Sequence, residues 1–281
     1  MIRLSTDSTS DLNGLFEQNN VAVMPVCVVL GGKTFEDGID VTPEDVYAYV
    51  KETGKLPKTS ARNEYDYEEF FKELTKDGDT LIHLAFSSEL STCEKCAEMA
   101  AQKVGNVYVV DTLSLSTGSG ALVMRAVDLI KQGKTAEEVV ENLKSAIPHV
   151  QASFIVSTME YLHKGGRCSG LAAFAANALK IIPTLLLKEG KIVVGKKYMG
   201  NVLKNCDRYV LDILKANNSY DDTRAFITYT KGTDERVVNK IEETLKANSS
   251  FKEIIRTTAG STITCHCGVG TIGILYINDK K

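Results

Sequence analysis

Three times in the first 120 residues, a short run rich in Val, Ile and Leu ends in small hydroxyl residues and gives way to a helical pattern. Leu4 leads into Ser5-Thr6-Asp7-Ser8-Thr9-Ser10-Asp11, and Phe86 into Ser87-Ser88-Glu89-Leu90-Ser91-Thr92. Val110 leads into Asp111-Thr112-Leu113-Ser114 and then Ser116-Thr117-Gly118. Strands alternating with helices imply a parallel sheet covered on both faces, with the strand ends along one edge. Hydroxyls and free N–H groups at helix starts suit an anion such as a carboxylate or phosphate. Each turn alone is better explained as a helix cap; three along one edge bring a ligand level with that reading.

The first half predicts strands at Ile2 to Thr6, Val21 to Leu30, Leu81 to Phe86 and Val107 to Val110. Helices are expected at Pro43 to Thr53, Asp66 to Lys76, Thr92 to Lys103, Gly118 to Gln132 and Ala136 to Ala146. Thr135 with Glu138 three residues on is a capping box for the last of these. The second half predicts strands at Ala152 to Ser157, Pro183 to Leu187, Lys191 to Val194, Arg224 to Thr228, Phe251 to Thr257 and Thr271 to Ile277. Lys188-Glu189-Gly190 suits a hairpin with Gly190 at positive φ, so this sheet is mixed. Helices fit Leu171 to Lys180, Met199 to Ala216 and Asp234 to Ala247. The change of pattern divides the chain into an N-terminal unit, residues 1–150, and a C-terminal unit, residues 151–281.

Lys+Arg 33 against Asp+Glu 36 leaves −3, with no Lys/Arg run longer than two, which argues against nucleic acid as a partner. The longest apolar run, Val21 to Leu30, is broken by Pro25 and is far short of the ~20 residues of a membrane span. The start lacks the charge and apolar stretch of a signal peptide. Seven Cys in a chain of this size read as reduced thiols, and the expectation is a soluble, cytoplasmic protein. Gly268-Val269-Gly270-Thr271-Ile272-Gly273 spells GxGxxG, but a strand follows where the dinucleotide motif needs a helix. No GxSxG or HExxH occurs, and no cofactor or metal site is expected.

Five ordered blocks resemble the DegV family. They are Asp7-Ser8-Thr9-Ser10-Asp11, Pro57-Lys58-Thr59-Ser60, Ser87-Ser88-Glu89-Leu90-Ser91-Thr92, Glu160-Tyr161-Leu162-His163-Lys164-Gly165-Gly166-Arg167 and His266-Cys267-Gly268-Val269-Gly270. The fourth is the most specific. The resemblance implies an N-terminal α/β/α unit with a parallel sheet and a C-terminal α/β unit with a mixed six-stranded sheet. It also implies one long-chain fatty acid between them and no catalysis by the carrier. The family's Thr and Ser that hold the carboxylate match Thr59 and Ser91, and its His matches His266. With the neighbouring hydroxyls, the ligand set is Thr59, Ser60, Ser88, Ser91, Thr92 and His266. In some members the acid passes to a separate fatty acid kinase, and the Arg of the Gly-Gly-Arg block, here Arg167, lies where that partner docks. Leu171 to Leu179 and Ile181 to Leu187 offer apolar walls for the acyl chain. Burying ~14 methylenes at ~0.8 kcal/mol each is worth about 11 kcal/mol before ordering costs.

The head-group end departs from the family. Ala61-Arg62 replace Gln-Pro after Thr59-Ser60, Thr92-Cys93 replace Gly-Thr after Ser91, and Val269 replaces a Pro. Two alternatives follow. One is a hydrolase using Ser91 and His266 with Asp7 or Asp111; the other is a metal or thiol site at Cys93, Cys96, Cys265 and Cys267.

Overall fold

The computed structural model describes residues 1–168 and 181–279. Its first part runs β1 (Ile2–Asp7), α1 (Leu15–Gln18), β2 (Val21–Met24), β3 (Cys27–Leu30), β4 (Lys33–Glu36), α2 (Pro43–Thr53) and β5 (Lys58–Ser60). It continues through α3 (Glu64–Thr75), β6 (Thr80–Ala85), α4 (Cys93–Val104), β7 (Val107–Asp111), α5 (Thr117–Lys131) and α6 (Ala136–Ala146). Strands β2-β1-β6-β7 form a four-stranded sheet in that order, every pair parallel. The expected β/α alternation produces this sheet, with its strand ends at the hydroxyl-rich turns. Capping boxes at Thr42, Asn63 and Thr135 fix the starts of α2, α3 and α6, each satisfying N–H groups that a helix leaves unpaired.

The apolar run from Val21 to Leu30 is two strands rather than one. Pro25 has no N–H to give a ladder, and the chain changes sheets there. β2 stays in the parallel sheet, while β3 pairs antiparallel with β4 and β5 in a separate three-stranded sheet. This small sheet carries Thr59 opposite Val28.

The second part comprises β8 (Val150–Ile155), α7 (Glu160–Gly165), β9 (Ile181–Lys188), β10 (Lys191–Met199), α8 (Val202–Ala216) and β11 (Arg224–Tyr229). It ends with α9 (Glu235–Asn248), β12 (Glu253–Thr258), α10 (Ser261–Cys267) and β13 (Ile272–Ile277). The sheet order is β10-β9-β8-β13-β11-β12, and only β11 and β12 pair parallel. The β9–β10 hairpin turns at Glu189-Gly190, and Gly190 has φ +78, as its sequence predicts. The segment 268–273 leads into β13, so the GxGxxG string opens no helix. The helix expected at Leu171 to Lys180 lies outside the described residues.

Helix α5 lies between the two larger sheets. Its small residues let it sit close to both: a Cβ on Gly120 would fall 2.8 Å from Leu12, and one on Gly118 would fall 3.3 Å from Ala152. One apolar cluster accordingly includes Leu4, Ile82 and Leu84 from the parallel sheet and Ala152, Phe226 and Leu275 from the mixed sheet. A second packs α8 and α9 on the far face of the mixed sheet, around Tyr209, Ile213, Val238 and Ile241.

Candidate functional site

Helix α10 is an unlikely helix on propensity alone. Ser261-Thr262-Ile263-Thr264 favours extended chain through its β-branched side chains. Tertiary contacts decide the matter. Asp37, in the loop after β4, accepts hydrogen bonds from the backbone N–H groups of Ser261 at 2.7 Å and Thr262 at 3.2 Å. Ser8 Oγ donates to the same carboxylate at 3.0 Å. Asp11 accepts from Gly260 N at 2.8 Å and from Ser116 Oγ at 2.5 Å. Asp37 and, from the first hydroxyl-rich region, Asp11 therefore anchor α10, and a carboxylate suits the N-terminal end of a helix. Burial pushes the Asp11 carboxyl up to about 8, its bonds to Ser116 and Gly260 acting in the opposite direction.

So anchored, α10 presents His266 to β5. His266 Nε2 and Thr59 Oγ1 share a hydrogen bond of 2.9 Å between residues 207 apart in sequence. Both side chains are half-buried. Burial, with the positive charge of Arg167 adding to it, pushes the His266 imidazolium down to about 4, so the ring is neutral at neutral pH. Its other nitrogen, Nδ1, is buried with no partner. That nitrogen faces Gly165 at the end of α7, where a Cβ would fall 2.6 Å from it. Arg167 is exposed and bends back, Nη1 donating to Gly165 O at 2.7 Å.

The fourth and fifth sequence blocks thus pack on each other. Gly268, at φ +67, lies under Tyr161, with space for a Cβ closed to 2.7 Å by the ring. Positive φ and this contact both require glycine there. Below them sits an apolar cluster of Leu90, Leu115, Phe154, Leu162, Leu185 and Ile263 with their neighbours. A void of about 30 Å³ lies within it, bordered by Leu115, Phe154, Ile263 and Cys267. Of the expected acyl-chain walls, Leu185 belongs to this cluster and Leu187 packs against it; Leu171 to Leu179 fall outside the described residues.

The remaining candidate residues occupy different settings. Ser91 Oγ lies 3.1 Å from Cys93 Sγ and accepts from Cys93 N at 3.2 Å, closing the first turn of α4. Thr92 takes the N-cap position without a side-chain cap bond and is exposed. Ser88 is exposed, and its backbone N–H donates to Asp111 at 3.3 Å. Ser60 is exposed, its hydroxyl directed at Ala61 O at 3.4 Å. Ser87, outside the expected ligand set, ties this turn to the β9–β10 hairpin by donating to Gly190 O at 3.0 Å.

Asp7 does not serve His266. It accepts from Tyr67 Oη at 2.5 Å and from Phe86 N at 2.7 Å, beneath the second hydroxyl turn. Ser5, His83 and Asp7 do line up, Ser5 Oγ 2.9 Å from Nδ1 and Asp7 3.6 Å from Nε2. All three are fully buried on β1 and β6, where no substrate reaches the hydroxyl. Nor do the four cysteines converge. Cys93 packs with Tyr67 and Phe71, with Cys96 against the same cluster, while Cys265 packs with Val28 and Val46 and Cys267 with Phe154 and Ile263. Burial pushes the Cys93 and Cys267 thiols up to about 12. Among the described residues no group of three or more His, Cys, Asp or Glu is placed to hold a metal.

A family model described as "Uncharacterised protein, DegV family COG1307" matches residues 1–279. The chain belongs to the DegV family. A DegV domain-containing protein of Caldanaerobacter subterraneus is 28% identical over 98% of each chain. Among solved structures, a fatty-acid-binding DegV family protein from Thermus thermophilus is 33% identical, with a TM-score of 0.90 over 98% of this chain and 99% of its own. The fatty-acid-binding DegV of Bacillus subtilis is 28% identical, with a TM-score of 0.85 over 98% of both chains. The parallel four-stranded and mixed six-stranded sheets are those of the DegV fold. No helix among the described residues is long and apolar enough to cross a membrane.

Proposed function

We propose that this protein binds one long-chain fatty acid and presents it for lipid metabolism in the cytoplasm without chemically altering it. The observation that carries this is the Thr59–His266 contact, which joins β5 to α10 beside the apolar cluster of Leu90, Phe154 and Ile263. On this reading the carboxylate takes the place of one partner in that contact. Thr59 Oγ donates to it, neutral His266 supplies an N–H, and Ser91 turns its hydroxyl from Cys93 to the ligand. Ser60, Ser88 and Thr92 form the outer, hydrated edge. The ligand lies between the N-terminal unit, residues 1–150, and the C-terminal unit, residues 151–281. The void of about 30 Å³ is smaller than an acyl chain, so loading parts the apolar cluster. Arg167, exposed beside His266, is the point at which a partner fatty acid kinase docks. The fatty-acid-binding relatives from Thermus thermophilus and Bacillus subtilis support the ligand class.

The test is fatty-acid titration of delipidated protein. Thr59→Val and Ser91→Ala should each weaken binding by about tenfold, the worth of one charge-assisted hydrogen bond. The double variant should lose more, with the apolar contribution retained. Unchanged affinity in the double variant would refute this carboxylate site.

A further inference from the structure

Strands β8 and β9 are partners over only part of their length. Their register runs Ser153↔Leu186, Phe154↔Leu185 and Ile155↔Thr184 and stops, although β8 starts at Val150 and β9 extends to Lys188. On its other side β8 stays paired with β13 from Ile155↔Ile272 to Val150↔Ile277. The sheet therefore opens on one side of β8 only. A cavity of about 550 Å³ lies at this opening, within the size range of small-molecule sites. It passes between the strands: Leu113, from the loop after β7, borders it on one side, and Asn217, at the end of α8, on the other.

The inner polar groups of this cavity are uncharged and unsatisfied. Gln151 is 6% exposed, yet its Oε1 has no partner, and Oδ1 of Asn278, just past β13, is likewise buried and unpaired. Both residues line the cavity. A buried acceptor left without a donor is costly, so two at one opening mark a place where hydrogen-bonding groups belong. Titratable groups are confined to the exposed rim, where His149, Lys188 and Glu189 stand. A carboxamide presents an acceptor beside a donor and pairs best with a group that presents the complementary edge.

We propose that the β8–β9 opening is a second ligand site, for a small neutral molecule carrying a hydrogen-bond donor beside an acceptor. A primary carboxamide and a nucleobase edge share that chemistry. The cavity touches the expected acyl-chain walls at Leu186 and Leu187, but neither Thr59 nor His266 lines it.

Nicotinamide and adenosine, titrated separately by calorimetry into the full-length protein, test this and distinguish the two sources. At least one should bind saturably. Gln151→Leu and Asn278→Leu should each weaken that binding at least about tenfold, the loss of a paired hydrogen bond in a buried site. Gln151→Leu removes a buried amide oxygen that has no partner and puts an apolar group of similar size in its place, so its melting temperature should hold and fatty-acid uptake should be unchanged. Binding by neither compound at millimolar concentration would overturn the proposal. So would equal binding by wild type and Gln151→Leu, or a crystal soaked with both compounds in which ordered waters alone satisfy Gln151 and Asn278.

Discussion

Gly165→Ala places a methyl group where the His266 ring now lies. The new Cβ would sit 2.6 Å from Nδ1 and 3.4 Å from Cε1, so something must move. At an unconstrained helix position the same change stabilises by ~0.4–1 kcal/mol, chiefly by restricting the unfolded chain. Here the imidazole is held from its other side by Thr59 at 2.9 Å. Displacing it forfeits a hydrogen bond worth ~0.5–1.5 kcal/mol, and overpacking adds ~1–3 kcal/mol. The net effect is a destabilisation of roughly 1–3 kcal/mol, with weaker fatty-acid binding. Urea unfolding should show a lower midpoint at unchanged slope. Gly166→Ala is the control: nothing lies within 4 Å of its Cβ, and its φ is +73. It should cost roughly 1–2 kcal/mol of backbone strain and leave ligand affinity alone. A Gly165→Ala protein as stable as wild type, or more so, with full affinity would refute the placement of His266.

Three further outcomes are expected. Asp37→Ala strips two backbone N–H groups of α10 and Ser8 Oγ of their acceptor; it should cost about 2–3 kcal/mol and speed release of bound fatty acid, seen in melts and off-rates. His266 holds its proton less well folded than unfolded, between its ordinary value and about 4. The unfolded state binds more protons there, so stability should rise with pH across that window, and His266→Gln should remove this slope in melts taken from pH 4 upward. Asp11, raised to about 8, works in the opposite sense. Its folded form keeps the proton longer, stability falls as pH rises from the ordinary aspartate range to about 8, and Asp11→Asn should flatten that fall.

Most of the framework was legible because periodicity and capping are local. Helices α2 and α6 begin and end where the sequence places them, at Pro43–Thr53 and Ala136–Ala146, since each carries its own capping box. The hairpin at Gly190 was equally legible from its turn residues. Two things were not. The split of Val21 to Leu30 between two sheets depends on where β3 finds partners, and β4 and β5 are too short to announce themselves. Helix α10 contradicts its own propensities and exists through Asp37, which lies 224 residues away from its bonded partner Ser261. Nothing near Asp37 in sequence marks it. Of the expected ligand residues, Thr59 and His266 are in contact, whereas Ser91 turns to Cys93, a residue that departs from the family pattern. The role of Gly165 follows only from packing, since a ring from a distant helix occupies the space beside it.

The central claim is that a long-chain fatty acid occupies this protein with its carboxylate at Thr59 and His266. Mass spectrometry of organic extracts from purified protein, beside a mock purification and the Thr59→Val/His266→Ala variant, tests it most directly. The account predicts a near-stoichiometric long-chain acid from wild type and a marked loss from the variant. Wild-type protein that is empty and also takes up no added acid would contradict it.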